Sequence, residues 1–351
     1  MNSSLIREIL AIHFEQENGT PYWLERQESL GFDIVNEIDN CHDLYRLGPM
    51  DINALRTRPL VDFIPRRFQS MLPELLLSET GGTTGDPCRR VFSPQEFEHA
   101  FVRPWQAAVE RFSFPCNGTW LFVGPGGPHI IDRSARAMAR AVGSLEPFTV
   151  DCDVRWIKRQ APGSLGLNLY LDHVLGQAMN IINHQQIDSL FTTPPLLSAL
   201  AERMSESQRR AIRGIHTGGL ALTAEKRPAL LAFFPNAVIL PGFGNSLFGV
   251  TFTAIPIASD EEDVFMVGDD SLWLQLAPLP VTSEDEQELG RQVEPGQRGR
   301  IIVHRFDSTF LIVNLPERDT AIATPLAQGG TGLAGIAPLQ FATPEDRQGV
   351  Y

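Results

Sequence analysis

The sequence predicts an α/β fold, in which a largely parallel sheet is covered by helices and is followed by a smaller β-rich subdomain. The chain of 351 residues is long enough for a large core and two or three subdomains. From about residue 75 to residue 250, short apolar runs alternate with helical patterns, which is typical of parallel βαβ units. After about residue 250 the pattern changes to a succession of strands.

These observations divide the chain into segments. We predict a helical N-terminal segment packed on the main domain at 1–70, an α/β core at 71–250, a β-rich subdomain at 251–326 and an irregular tail at 327–351. In the first segment Ile6, Ile9 and Leu10 share a helix face, and Ser4 is the predicted N-cap.

The strands and helices of the later segments follow from apolar runs and helical periodicity. Strands are predicted at 72–77, 119–123, 148–150, 189–191, 214–216, 237–240, 264–267, 272–276, 300–304 and 309–313. Helices are predicted at 169–182, 195–204 and 225–234, at a start near Ser93, and after the loop Gly124–His129 with Asp132 as N-cap.

Composition excludes several classes of protein. The formal charge of −13 argues against a nucleic-acid partner, because neutralising phosphates needs clustered cations. No apolar stretch is long enough to span a membrane, and the N-terminus does not read as a secretory signal, so we predict a cytoplasmic protein without a membrane partner. The four cysteines form no C-x-x-C pair, which predicts neither a zinc site nor a disulfide framework.

The loop Thr80-Gly81-Gly82-Thr83-Thr84-Gly85 is the strongest local signal of chemistry. Glycines let the backbone approach a ligand closely, while threonine hydroxyls and free N–H groups can cradle phosphate oxygens. The spacing matches neither G-x-x-x-x-G-K-S/T nor G-x-G-x-x-G. On its own the loop is equally compatible with a plain surface turn.

The loop resembles the phosphate-binding loop of the adenylate-forming enzymes, the superfamily of acyl-CoA ligases. The likeness ends at Cys88, where the superfamily has a lysine. Further segments resemble superfamily motifs in the correct order: His216–Leu222, Pro241–Leu247, Gly296–Val303 and Glu317–Thr320. Pro21-Tyr22-Trp23, Asp43-Leu44 and Leu47-Gly48-Pro49 resemble the phenylacetate-CoA ligase and acyl-protein synthetase branches. Gly126–His129, Asp151–Trp156 and Phe243–Gly249 resemble the atypical adenylating proteins of phenazine-antibiotic biosynthesis.

The resemblance implies the N-terminal domain fold of these enzymes and a role for each matching residue. The implied nucleotide-binding residues are Thr80, Gly81, Gly82, Thr83, Thr84, Gly85, Gly218, Gly219, Phe243, Gly244, Asn245, Ser246, Arg318 and Asp319. Of these, Thr83, Thr84 and Ser246 are the implied catalytic residues, Phe243 would pack on the adenine, and Asp319 would bind the ribose hydroxyls. His129 and Gly242 would contact the acyl substrate. His129 is about as consistent with a purely structural role.

The chain also departs from the superfamily pattern. Leu247 and Leu220 stand where the superfamily has glutamates, so Mg²⁺ loses its usual ligand, and the sequence identifies no replacement. Only 32 residues follow Asp319, which predicts that the C-terminal small domain is absent and that CoA transfer by its rotation does not occur. Lys158 and Lys226 are the only lysines of the chain, so the usual lysine after the ribose aspartate is missing. Adenylation could proceed slowly without it, or Arg89, Arg90 or Arg318 could substitute.

The sequence therefore predicts an ATP-dependent ligase that converts an aromatic carboxylate, by resemblance a phenazine carboxylate, to an acyl-AMP. The acyl-AMP would pass to a partner enzyme such as a reductase. Three alternatives stay open: acyl-protein synthetase-like transfer through a cysteine such as Cys88, a nucleotide-binding partner protein without catalysis, and a conventional CoA ligase.

Overall fold

The computed structural model describes residues 2–82, 85–222, 225–255, 262–280, 282, 287–327 and 329–340. The α-helices are α1 Ser3–Phe14, α2 Pro21–Leu30, α3 Ile34–Glu37, α4 Ile52–Thr57, α5 Pro94–Phe97, α6 Arg103–Phe112, α7 Ile130–Ala141, α8 Val154–Lys158, α9 Leu165–His184, α10 Pro194–Arg203, α11 Glu206–Ala211 and α12 Arg227–Phe233. Shorter 3-10 helices span Cys41–Leu47, Leu60–Phe63 and Arg66–Glu74, and a π-helix spans Glu98–Val102.

The strands alternate with these helices through the middle of the chain and follow one another at its end. They are β1 Leu76–Glu79, β2 Arg89–Phe92, β3 Trp120–Gly124, β4 Phe148–Asp151, β5 Ser189–Thr192, β6 Gly214–Thr217, β7 Val238–Asn245, β8 Gly249–Thr253, β9 Val264–Met266, β10 Leu272–Ala277, β11 Arg298–Phe306, β12 Leu311–Pro325 and β13 Thr331–Pro338.

The described residues form two compact units. Unit 1 consists of the described residues in the ranges 2–80, 85–99 and 267–340. Unit 2 consists of residues 81–82 and the described residues in the range 100–266.

Unit 2 is built on a parallel sheet with the strand order β4-β3-β5-β6-β7, extended by antiparallel β8 and β9. Every residue of β3, β5 and β6 is buried, as expected for parallel strands with helices on both faces. Helices α9 and α10 contribute Val174, Leu175, Ala178, Leu197 and Leu200 to the core. The apolar runs that predicted these strands are therefore the core of the unit.

The strand order of unit 2 contains a switch point. From β3 the chain crosses to β4 on one side, and β5, β6 and β7 then follow on the other side. In open α/β sheets, ligands bind outside the carboxyl ends of the strands at such a point. The loops after β3 and β5 flank it.

Unit 1 joins the antiparallel sheet β10-β11-β12-β13 and the hairpin β1–β2 to the N-terminal helices. The indole of Trp23 donates to the Leu311 carbonyl at 3.2 Å. The Asn314 side chain donates to the Gly48 carbonyl at 2.9 Å. These long-range bonds fix the N-terminal helices on strand β12.

A buried charge network lies in the same unit. One Asp307 oxygen accepts from Arg90 Nη2 and from Arg305 Nε, both at 2.6 Å, and Arg305 Nη1 donates to Asp269 at 2.7 Å. The Arg90 guanidinium also lies 3.6 Å from the centre of the Phe92 ring. Although burial opposes its ionisation, Arg305 and Arg90 hold the pKa of Asp307 below its usual value.

Several local predictions are wrong. Asn2, not Ser4, caps α1, because its side chain accepts from the Ser4 N–H at 2.9 Å. Helix α7 starts at Ile130, so His129 is its N-cap residue and Asp132 instead pairs with Arg136 at 3.0 Å.

Two strand predictions also change. The predicted strand at 72–77 starts at Leu76, because a 3-10 helix runs through Glu74. Within the stretch expected to be irregular, Thr331–Pro338 forms β13. It pairs with the long strand β12, whose backbone groups hold a glycine-rich segment in place.

Candidate functional site

In unit 2 the loop after β3 is held at the carboxyl edge of the sheet. The Gly126 N–H donates to Asp151 at the end of β4 at 2.7 Å, and a Cβ on Gly126 would lie 3.0 Å from the same carboxylate oxygen. The His129 N–H donates to the Gly126 carbonyl at 3.4 Å, and His129 as a whole residue is 9% exposed. His129 therefore lies beside the switch point. The resemblance implies that this residue contacts the acyl substrate.

The neighbouring strands bring further predicted residues to this edge. The Thr192 hydroxyl at the end of β5 donates to the Val123 carbonyl of β3 at 2.8 Å. The Gly218 N–H, directly after β6, donates to the Thr192 carbonyl at 3.3 Å. Gly219 has a φ of +78°, a conformation that favours glycine. Gly218 and Gly219 thus lie at the same sheet edge as His129.

The β7–β8 hairpin carries the predicted adenine and α-phosphate residues. Asn245 Oδ1 accepts from the N–H groups of Leu247 at 2.8 Å and Phe248 at 3.3 Å, which closes the turn. Phe243 lies 5.8 Å from Phe248 between ring centres, and Ser246 is half-buried in the turn.

The glycines of this hairpin have packing roles of their own. A Cβ on Gly244 would lie against the Gly249 carbonyl oxygen and 2.7 Å from Val250 Cα. A Cβ on Gly242 would lie 2.8 Å from His216 Cε1. Both glycines are therefore required by close packing, whatever they contact in a ligand.

His216, at the end of β6, is a core residue. Its Nδ1 bonds with the Leu240 carbonyl at 2.8 Å, and its ring centre lies 4.1 Å from that of Phe191. Burial lowers the pKa of His216 to about 4, so the ring is neutral at physiological pH.

The described residues do not include the magnesium ligand that the superfamily pattern implies. Leu247, where the resemblance implies a glutamate, is buried in the hairpin turn, and its side chain has no oxygen to offer Mg²⁺. Among the residues the structure describes, no group of three His, Cys, Asp or Glu side chains could hold a metal.

The two ends of the glycine–threonine loop lie in unit 1, where the loop joins the strands of the β1–β2 hairpin instead of joining a strand to a helix. The Thr80 N–H donates to the Cys88 carbonyl at 3.0 Å, and the Cys88 N–H donates to the Thr80 hydroxyl at 2.9 Å. Strand β2 then precedes α5, whose start near Ser93 was predicted; Ser93 is its N-cap residue.

Within the loop, Gly82 and Gly85 have φ values of +62° and +144°. Gly81 and Gly82 belong to unit 2, and Thr83 and Thr84 lie outside the described residues.

The residues after the loop do not supply a free cation or an activated thiol. Arg90 is fully buried and forms an ion pair with Asp307, so it cannot replace a phosphate-binding lysine. Arg89 is bonded to Glu79 at 3.0 Å. Burial, against the opposing effect of Arg56, raises the pKa of the Cys88 thiol, which disfavours the reactive thiolate.

Arg318 and Asp319 lie in β12 of unit 1. Burial, with a further contribution from Glu317, raises the pKa of Asp319 to about 6 against the opposing effect of Arg318. Arg318 Nε is 4.0 Å from the Glu317 carboxylate. A half-buried carboxylate whose pKa is raised in this way is a candidate for a functional residue.

Sequence reasoning missed Lys158 as a residue of the loop's surroundings. Its Nζ donates to the Gly81 carbonyl at 3.2 Å, within unit 2. The rarity of lysine in an arginine-rich chain was the one signal that could have drawn attention to it.

Comparisons with known proteins support the fold. No protein-family model matches the chain, and no curated protein sequence matches it. An open conformation of 2-hydroxyisobutyryl-CoA ligase with 2-HIB-AMP and CoA matches with a TM-score of 0.71 at 13% identity, over 96% of this chain and 68% of the ligase. The same ligase in the thioesterification state matches with a TM-score of 0.71 at 14% identity, over 98% and 70%.

The chain therefore has the α/β fold of the N-terminal domain of adenylate-forming enzymes, as the sequence predicts. It spans about two thirds of the length of the ligase. No helix among the described residues is long and apolar enough to cross a membrane.

Proposed function

We propose that this protein is an adenylate-forming ligase. The oxygen of a carboxylate would attack the α-phosphate of ATP, forming an acyl-AMP while the bond to pyrophosphate breaks. The observation that carries this proposal is the fold, which is shared over nearly the whole chain with a CoA ligase whose structures contain 2-HIB-AMP.

The nucleotide would be bound by the residues that match the superfamily motifs. Thr80 to Gly85, with Thr83 and Thr84 as catalytic residues, would bind the β- and γ-phosphates. Phe243 would pack on the adenine beside Gly218, Gly219, Gly244 and Asn245, and Ser246 would contact the α-phosphate. Asp319, next to Arg318, would accept hydrogen bonds from both ribose hydroxyls, a task suited to a carboxylate.

The acyl substrate in this proposal is an aromatic carboxylate, specifically a phenazine mono- or dicarboxylate. Its support is the resemblance of Gly126–His129 to the phenazine adenylating proteins and the location of His129 beside the switch point. Gly242 would leave room for the ring. A partner enzyme such as a reductase would then consume the acyl-AMP in the cytoplasm.

One alternative has an observation in its favour. Leu247 offers no oxygen to Mg²⁺, which favours a nucleotide-binding partner protein without catalysis. Acyl transfer through Cys88 is disfavoured, because that thiol is buried and its pKa is raised.

Carboxylate-dependent exchange of label between pyrophosphate and ATP tests the proposal. We expect exchange with phenazine carboxylates above that with benzoate, and its loss in Asp319→Ala but not in Glu294→Ala, a matched change at an exposed carboxylate of unit 1. Absence of exchange with ATP binding retained would support the non-catalytic alternative. A product that requires CoA would instead indicate a conventional CoA ligase.

A further inference from the structure

Lys158 brings an ammonium group to the glycine–threonine loop. It is the last residue of α8, which follows β4 at the carboxyl edge of the parallel sheet. Its Nζ lies 3.2 Å from the Gly81 carbonyl oxygen, although the two residues are 77 positions apart in the chain. The segment from Thr80 to Gly85 contains no lysine or arginine of its own.

The backbone that carries Lys158 is well anchored. Asp153 caps α8 by accepting from two backbone N–H groups at 2.9 and 3.0 Å. The Trp156 ring packs on Tyr170 with ring centres 4.9 Å apart, and Ile157 packs against the core of unit 2. Lys158 thus extends from a fixed point rather than from a loose surface turn.

The surroundings of Lys158 are locally rich in cations. Arg155 and Arg159 lie within one turn of it, in a chain whose formal charge is −13. The nearby carboxylates Asp151 and Asp153 both accept hydrogen bonds from backbone N–H groups. An anion next to Gly81 would therefore meet positive charge on a protein that is otherwise acidic.

We propose that Lys158 is the cation that contacts the β- and γ-phosphates of ATP, an inference that rests on the proposed function. An ammonium group is a compact point charge with three rotatable donors, which suits non-bridging phosphate oxygens. Lys158 Nζ moves from the Gly81 carbonyl to these oxygens when ATP binds. It then stabilises the charge that develops on the departing pyrophosphate.

An ATP analogue with an acyl group on its γ-phosphate tests this contact directly. A lysine amine within reach attacks the acyl carbon, so an amide bond forms, the bond from that carbon to the phosphate oxygen breaks, and ATP leaves. Peptide mass spectrometry can then compare Lys158 with Lys226, the only other lysine and an exposed one. We expect acylation of Lys158 that excess ATP suppresses, and no ATP-sensitive acylation of Lys226.

Variants separate a phosphate contact from a structural role. In Lys158→Met we expect ATP affinity to fall roughly 10- to 100-fold, the usual effect of losing a hydrogen bond between charged groups. AMP affinity and melting temperature should be unchanged, and Lys226→Met should match the unmodified protein. Equal loss of ATP and AMP affinity, or no loss of either, would overturn the inference.

Failure of the inference on Lys158 and failure of the proposed function give different results. If calorimetry shows that the unmodified protein binds ATP but the analogue labels both lysines alike, the inference on Lys158 fails and the proposed function stands. If the unmodified protein binds no ATP, both fail.

Discussion

The charged residues of unit 1 and the polar strand ends of unit 2 have different surroundings. In unit 1, Asp307 binds Arg90 and Arg305 in a fully buried network whose partners are protein groups. In unit 2, the loops after β3, β4 and β6 hold polar groups and glycines at one edge of a parallel sheet, and Lys158 reaches Gly81 there. In the first arrangement the buried charges are paired with one another, and the second lies where open α/β sheets bind ligands.

This difference shows why the type of a residue near a motif does not decide its role. Arg90 follows the glycine–threonine loop closely in sequence but is committed to Asp307. Lys158 is far from the loop in sequence and yet bonds to it.

The largest effect is expected for Asp307→Ala, which leaves Arg90 and Arg305 buried without their shared carboxylate. Breaking a buried ion pair by removing one partner costs about 3–5 kcal/mol of unfolding free energy. The matched control is Glu37→Ala, whose exposed pair with Arg46 should contribute about 0–1 kcal/mol. Denaturant unfolding measures both, and equal losses would contradict the structural role of the network.

Gly244→Ala should destabilise unit 2 by about 1–3 kcal/mol, because the added methyl group meets the backbone of β8. Gly176→Ala is the control, since Gly176 lies in α9 with nothing within 4 Å of a Cβ. That change should stabilise the protein by up to about 1 kcal/mol. If Gly244→Ala left stability unchanged, a role in ligand binding alone would explain this glycine better.

His216 makes stability depend on pH. Its pKa is lowered by burial from 6.5 to about 4, so the unfolded chain takes up the proton first as the pH falls. The contribution of the neutral His216 ring to the unfolding free energy is fully present above pH 6.5. As the pH falls towards 4, this contribution is lost at about 1.4 kcal/mol per pH unit. Between pH 7 and pH 5 the unfolding free energy of His216→Phe should fall less steeply than that of the unmodified protein, measured at pH 7, 6 and 5. If the two proteins lost stability in parallel, His216 would not be a buried neutral histidine.

The smallest effect on stability is expected at Asp319, where the dependence of stability on pH has the opposite sign to that of His216. Its folded-state pKa of about 6 exceeds the ordinary 3.8, so the ionised group costs stability above pH 6, and this cost is relieved as the pH falls towards 3.8. Asp319→Asn should therefore raise the unfolding free energy at pH 7.5 by less than the ~3 kcal/mol that the shift in pKa corresponds to, because solvent screens the half-buried carboxylate. ATP affinity, measured by calorimetry, should fall in the same variant. A variant that lost stability and kept its ATP affinity would mark Asp319 as structural.

Much of unit 2 could be predicted from the sequence because its strands are continuous apolar runs. The predicted strands at 189–191 and 214–216 correspond to β5 and β6 with one residue added to each. Strand β2 was missed because it contains Arg89 and Arg90, and Arg90 is buried only through Asp307, 217 positions away. Strand β13 was missed because its ordering comes from pairing with β12 rather than from its own composition.

The candidate site was predictable only in part. Gly218 and Gly219 directly follow the strand predicted at 214–216, and the structure has both at the sheet edge, but their implied role in nucleotide binding stays a prediction. The bond from Lys158 to Gly81 joins distant segments, so no local pattern could indicate it. Roles inferred from motifs, such as those of Ser246 and Asp319, stay predictions until a nucleotide is bound.

The most direct test of the central claim is the transfer of oxygen from the carboxylate to AMP. The protein is incubated with ATP and a phenazine carboxylate labelled with ¹⁸O in its carboxyl group, and hydroxylamine traps the acyl product. If the carboxylate attacks the α-phosphate, the bridging oxygen stays with phosphorus, and the released AMP carries one ¹⁸O. Unlabelled AMP, or ADP and phosphate as the products, would contradict acyl-AMP formation.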